Sequence, residues 1–263
     1  MKLNLFIARS GVASRRKSAE LVKNGLVRIN GKIVLEPFRE VTDKDKISVG
    51  TLQSPCHSPK NRSGSITGRV EGKNISPERF VYVAVNKPIG VTCTLKDRFA
   101  GKKVTDLVSR SLGRLYPVGR LDRDSSGLVI LTNNGDFSQR ISHPSYEVEK
   151  EYLVTVVPAV NRKEISVLRT GVLYEGEKLS ALEIRILKKE PGRSTLQIIL
   201  KEGKKREIRR MFGCLGHHVQ TLERVRIGRI TLGNLNPGKW RFLTREEIGS
   251  HSRELSQNTA THQ

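Results

Sequence analysis

Two aspartates lie two residues apart in an arginine-rich loop, Gly119-Arg120-Leu121-Asp122-Arg123-Asp124-Ser125-Ser126-Gly127. Arg120 and Arg123 flank Asp122, and neighbouring cations favour the charged form of a carboxylate. An ionised Asp122 can serve as a nucleophile or a base. The plainer alternative is an ion-paired loop beside a core strand, and charge pattern alone favours that alternative. Tyr152 follows in Lys150-Glu151-Tyr152, where a tyrosine at a strand start is more often a packing residue with a satisfied hydroxyl. A basic run, Lys204-Lys205-Arg206-Glu207-Ile208-Arg209-Arg210, reads by itself as a helix face for a polyanion.

These groups need elements to hold them. Residues 127–132 are apolar and β-branched and are closed by Asn133, Asn134 and Gly135, the pattern of a buried strand entering a turn. The acidic loop therefore leads into a core strand. Residues 80–85 read as an alternating strand that runs into Asn86-Lys87-Pro88-Ile89-Gly90, a Pro-Gly turn. Residues 104–111 suggest a short helix. Asp136 is placed to cap a helix through Ser142, Asn161 with Glu164 a helix ending near Gly171, and Thr244 with Glu247 a last one. Further strands are expected over 153–157, 181–187, 195–200 and 222–232, the last turning Arg224, Arg226 and Arg229 toward a partner. The basic run continues as a helix with Ile208, Met211, Phe212 and Leu215 on one side, closed by Gly216. Hairpin signals dominate and regular β-α-β alternation is lacking, so the fold class is α+β.

The amino-terminal end forms a smaller unit. Leu3, Leu5, Phe6 and Ile7 begin a short helix, Ser14 caps a second one over residues 15–24, and Asn30-Gly31 joins two short strands as a hairpin. Its outer side gathers Arg9, Arg15, Arg16, Lys17, Lys23, Arg28 and Lys32, a set suited to phosphates. Residues 50–78 are rich in Ser, Pro and Gly and read as a flexible linker. Residues 249–263 are polar and aperiodic, and read as a disordered tail.

Composition narrows the partners. Lys and Arg number 48 against 26 Asp and Glu, a net charge of +22 over 263 residues, which points to nucleic acid. No basic helix carries a large leucine or aromatic face, so a membrane surface is the weaker reading. No apolar run approaches a membrane span, and residues 1–16 turn basic where a secretory leader should be apolar, so a cytoplasmic location is expected. Cys56, Cys93 and Cys214 are far apart, and His217-His218 has no companions, so neither a disulfide framework nor a metal site is expected.

The string G-R-L-D-R-D-S-S-G-L-V-I-L-T-N-N-G resembles the signature loop and strand of the pseudouridine synthases. It is closest to the branch that modifies ribosomal RNA and carries an S4 domain in front. Asn86-Lys87-Pro88-Ile89-Gly90 resembles that family's N-K-P-x-G motif, and Glu202-Gly203 through Met211 resembles its E-G-x-x-x-Q-[VI]-R-R-M motif. S-R-R-x-x-A-E-L-V followed by I-N-G-K resembles the S4 domain. The resemblance implies an S4 helix-helix-hairpin domain over 1–49 and a mostly antiparallel mixed-sheet catalytic domain over 79–248. It implies Asp122 as the catalytic residue, Tyr152 as the active-site tyrosine and Arg209 as the arginine paired with Asp122. Arg120 matches the arginine that fills the space left by an extruded base, while Arg206 and Arg210 join the RNA-binding set. Glu207 departs from the family's glutamine and adds a negative charge.

The implied activity is the isomerisation of uridine to pseudouridine in ribosomal RNA, without a cofactor, large-subunit RNA being favoured over small-subunit RNA. A monomer with structured ribosomal RNA as its partner is expected. A non-catalytic S4-type RNA-binding or ribosome-assembly protein would explain the charge but not three matching motif settings. A nucleoside or glycoside hydrolase would release free uracil, and normally needs two carboxylates placed across the bond.

Overall fold

Ser14 Oγ accepts a hydrogen bond from the Lys17 amide at 3.3 Å, satisfying one of the open N–H groups of a helix start. That cap helps organise the first of two compact units into which this computed structural model divides, between Arg79 and Phe80. The structure describes residues 1–50, 72–94 and 101–249. Cys56, most of the expected linker, residues 95–100 and all of the expected tail but Gly249 lie outside the described residues.

In the first unit, α1 (Leu3–Arg9) and α2 (Arg15–Lys23) precede β1 (Val27–Ile29), β2 (Lys32–Ile33), β3 (Ile47–Gly50) and β4 (Gly72–Asn74). Asn30 and Gly31 adopt φ of 51° and 81°, the left-handed pair that a two-residue hairpin turn demands. Leu3, Ile7, Val22, Val27, Ile29 and Ile47 form the core. Composition placed residues 72–78 in the linker, yet β4 pairs antiparallel with β3 and the Ile75 amide donates to Ile47 O at 3.0 Å. Strand pairing uses backbone groups, so even exposed Gly-Lys-Asn can add a strand to a sheet edge.

The second unit runs β5 (Tyr82–Lys87), β6 (Tyr116–Val118), β7 (Ser126–Thr132), α3 (Gly135–Ser142) and β8 (Lys150–Val157). It continues with α4 (Arg162–Thr170), β9 (Val172–Tyr174), β10 (Glu177–Leu179), β11 (Glu183–Glu190) and β12 (Arg193–Leu200). The last elements are α5 (Glu207–Gly213), β13 (His218–Ile227), β14 (Ile230–Thr231), β15 (Trp240–Phe242) and α6 (Arg245–Gly249). Residues 104–111 form two single 3-10 turns rather than one helix. A nine-stranded sheet orders its main path β11-β12-β8-β13-β7-β5-β15. Its described pairings are antiparallel except where β13 meets β7. The fold is thus the expected α+β arrangement with a largely antiparallel mixed sheet.

Both faces of the sheet centre are covered. Val83, Val85, Val129 and Leu131 enter one core while Ala84, Leu128 and Ile130 enter the other. The alternation expected for the first strand of this unit is accordingly absent: from Val83 to Lys87 every residue is buried. Asn134, not Asp136, caps α3, because its carboxamide oxygen accepts from the Asp136 and Phe137 amides at 3.0 and 3.1 Å. The caps at Asn161/Glu164 and Thr244/Glu247 form reciprocally as expected.

Gly127 makes the parallel junction possible. It sits at φ 104°, and a Cβ there would come within 2.7 Å of the Arg224 backbone nitrogen. Gly127→Ala should destabilise the protein by roughly 1–3 kcal/mol or more, since a left-handed backbone and a backbone clash coincide. Gly213→Ala, with open space around the site, should be neutral or slightly stabilising. Urea unfolding midpoints measure both, and equal midpoints for the two variants would refute the close-approach argument.

Candidate active site

The acidic loop occupies the approach to the parallel junction. Its crown is a tight turn in which the Ser125 amide donates to Asp122 O at 3.1 Å. The neighbouring turn at Pro88 braces it: the Gly90 amide donates to Arg123 O at 2.8 Å, and Arg123 Nε donates back to Gly90 O at 3.3 Å. Lys87, fully buried beneath, donates to Pro88 O and Val91 O at 3.1 and 2.9 Å. The Asn-Lys-Pro-x-Gly motif therefore sets backbone geometry under the loop.

Helix α5 delivers the arginines. Ile208, Met211 and Phe212 are buried on one side, which turns Arg209 toward the loop. Arg209 Nη1 donates to Val219 O at 2.8 Å and Nη2 to Asp124 O at 3.0 Å. Its charge contact is with Asp124, at 3.4 Å, and not with Asp122 as the motif resemblance implied. The physical reason is the turn, which presents the Asp124 carbonyl and carboxylate together to one guanidinium. Arg206, in the left-handed conformation at φ 51°, reaches Asp124 at 3.1 Å and Asp122 at 3.8 Å. Arg210, expected to face RNA, instead donates to Glu177 at 2.8 Å and lies over the Tyr174 ring. Asp122 thus keeps a half-exposed carboxylate to which no described residue donates a hydrogen bond.

One rung of the sheet crosses the site. In register, Tyr152 on β8 faces Arg224 on β13, Arg224 pairs with Gly127 on β7, and Gly127 pairs with Lys87 on β5. Asp122, Tyr152, Arg209, Arg120 and Arg206 all line a single cavity of about 660 Å³, a size suited to a small ligand or a nucleotide base. Leu121, Leu200, Ile208 and Leu222 supply apolar wall. Two further lining residues, Lys150 and Arg224, went unrecognised as site residues in the sequence, while Glu207, read there as a negative charge near the site, lines the cavity too. Arg224 was expected to face a partner, but it is buried, while Arg226 is engaged by Glu149 and Glu151. The setting of Lys150 and Arg224 in alternating strands gave no sign of this, because the cavity interrupts the core there.

The electrostatics are unusual for an interior. Lys150 donates to Val148 O and Lys201 O at 2.8 and 3.2 Å; burial, aided by the positive charge of Arg224, pulls its pKa down. Burial likewise lowers the pKa of Lys87. Glu207 accepts from the Lys204 amide at 3.0 Å, and burial pushes its carboxyl up. Among the described residues, no three His, Cys, Asp or Glu side chains could gather on a metal ion. His217 is buried and contacts Pro158 O at 2.9 Å. No described helix is long and apolar enough to cross a membrane.

In the first unit, Arg15, Arg16, Lys17, Lys23 and Lys32 are exposed. Arg28 is half-buried and donates to Gly31 O at 3.1 Å, and Lys17 pairs with Glu20 at 3.3 Å.

Comparison with known proteins gives this arrangement its class, that of the enzymes forming pseudouridine in RNA. The profile for RNA pseudouridylate synthases matches residues 81–213, and that for the S4 domain matches residues 1–47. The chain belongs to the RNA pseudouridylate synthase family. It is 35% identical, over 94% of its length and 93% of the relative's, to ribosomal large subunit pseudouridine synthase B of Bacillus subtilis. It is 34% identical to the dual-specificity RNA pseudouridine synthase RluF of Escherichia coli, over 94% of this chain and 77% of that one. A crystal structure of a pseudouridylate synthase superposes with a TM-score of 0.63 at 28% identity, covering 96% of this chain and 100% of its own.

The buried Glu207 yields a test of the cavity's electrostatics. Its folded pKa lies above the unfolded value, so the unfolded chain releases this proton first as pH rises. Stability is therefore lost as pH climbs from the ordinary glutamate range through the raised value. Glu207→Gln should unfold at higher urea than the native chain at pH 8, and the gap should close by about pH 4. A gap independent of pH would show that Glu207 keeps an ordinary carboxyl.

Proposed function

We propose that the chain isomerises a specific uridine of ribosomal RNA to pseudouridine, with large-subunit RNA the favoured substrate. The supporting observation is the convergence of Asp122, Tyr152 and Arg209 on one cavity. The similarity to a large-subunit enzyme of Bacillus subtilis favours that RNA. Residues 1–49 serve RNA docking and residues 79–248 serve catalysis, in the cytoplasm and as a monomer.

The reaction breaks the bond between C1′ and N1, turns the uracil, and forms a bond between C1′ and C5. C5 gives up its proton and N1 gains one, so no electrons are exchanged. A base paired in RNA must first leave its stack, at a cost of a few kcal/mol. Arg120, exposed at the rim, takes the vacated space. The Asp122 carboxylate acts on the nucleotide as nucleophile or base, and its lack of hydrogen-bond donors among the described residues leaves its lone pairs available. Tyr152 contacts the uracil, its ring packed in the core and its edge on the cavity. Arg209 acts one step back, holding the turn through the Asp124 carbonyl.

Asp122→Asn should abolish turnover while leaving RNA affinity within about twofold, because the carboxylate adds nothing to phosphate binding. Pseudouridine mapping of both ribosomal RNAs, from cells with and without the protein, reads the product. A variant that still makes pseudouridine removes Asp122 from the mechanism.

Replacing Arg15, Arg16 and Lys17 together by Ser should weaken RNA binding at all sequences alike. The slope of log affinity against log salt should shrink by about 0.7–0.9 per lost phosphate contact. An unchanged slope in a titration series would place the docking surface elsewhere.

A further inference from the structure

Arg224 is 4 % exposed and permanently charged, yet among the described residues no carboxylate lies within ion-pairing distance of it. Breaking water's hold on a guanidinium costs several kcal/mol, and well-packed apolar residues often fill such a place at lower cost. A side chain retained there under that penalty should be doing something an apolar one cannot.

Its bonds say what. Nε donates to Leu128 O at 2.8 Å and Nη1 reaches Arg120 O at 3.4 Å, while Nη2 is buried without a hydrogen-bond partner. Arg120 and Leu128 are the two feet of the segment that carries Asp122. One side chain from a different strand therefore spans the loop at its base. The same residue stands opposite Tyr152 in the sheet register and lines the cavity. The separation of loop and tyrosine is thus measured through Arg224. Arg209 holds the crown of the loop; nothing else described joins its feet to β13 through a side chain.

We propose that Arg224 is a positioning residue for the isomerisation: by tying the Arg120 and Leu128 carbonyls to one guanidinium, it fixes where the Asp122 carboxylate stands relative to Tyr152. This rests on the reading of Asp122 as the group that acts on the nucleotide. The planar fork of an arginine serves two separated acceptors at once, whereas the single nitrogen of a lysine must choose one. A role for the charge alone would be met by lysine; a two-footed clip would not.

The test compares Arg224→Lys and Arg224→Gln with the native chain and with Asp122→Asn, on the RNA that the native chain modifies. Single-turnover rates for the Arg224 variants should fall about 10²-fold, the cost of a misplacement near 1 Å, with RNA affinity within about twofold. Backbone amides of residues 121–126 should exchange faster with solvent, while those of β8 and β12 keep their protection. A lysine variant that turns over at the native rate overturns the proposal. So does a general loss of protection, or a loss of RNA binding in step with activity, since either marks a purely structural role. Activity surviving in Asp122→Asn would sink the catalytic reading instead, and the local exchange at 121–126 would still decide whether the clip exists.

Discussion

The site depends on backbone carbonyls of one loop being held by guanidinium groups that come from elsewhere in the chain. Arg224 takes the carbonyls of Arg120 and Leu128, and Arg209 takes that of Asp124. A loop ordinarily loses about 1–2 kcal/mol of conformational freedom per ordered residue. Hydrogen bonds to charged groups return roughly 1.5–3 kcal/mol each, so a few of them hold what short-range turn chemistry cannot. The Asp122 carboxylate, proposed as the reacting group, is left out of this bracing, and its neighbour two residues on receives it.

A second consequence concerns charge. Lys87, Lys150 and Arg224 are all buried, and each is met by peptide carbonyls rather than by a carboxylate. Dipoles satisfy the donors without cancelling the charge. Lys150 and Arg224 therefore bring positive charge to the cavity wall, and in a medium less polarisable than water that field reaches further than at a surface. Negative charge building on a detached base would find compensation already in place, without reorganisation.

Much of this was legible in the chain. Asn30-Gly31, the Asn161/Glu164 and Thr244/Glu247 pairs, and the apolar side of α5 each depend on neighbours within a few residues, and local chemistry decides them. What depends on distant partners was not legible. Asn134 outcompetes Asp136 for the α3 cap only because of where β7 ends, and Arg224 looks like any strand arginine until β7 and β8 close on it. The gathering of Asp122, Tyr152 and Arg209 could be anticipated from motif likeness. The detail that Arg209 belongs to Asp124 could not, since two acids separated by one residue look interchangeable on paper.

The margins of the large sheet have their own consequence. At one end β11 carries a bulge between Ile186 and Lys188 and exposes Arg185, Lys188 and Lys189; at the other β15 spans only Trp240–Phe242. A strand from a second molecule would meet an irregular ladder on the first side, and too short a template on the second. Crowded together along a polyanion, such molecules are discouraged from zipping edge to edge into fibrils.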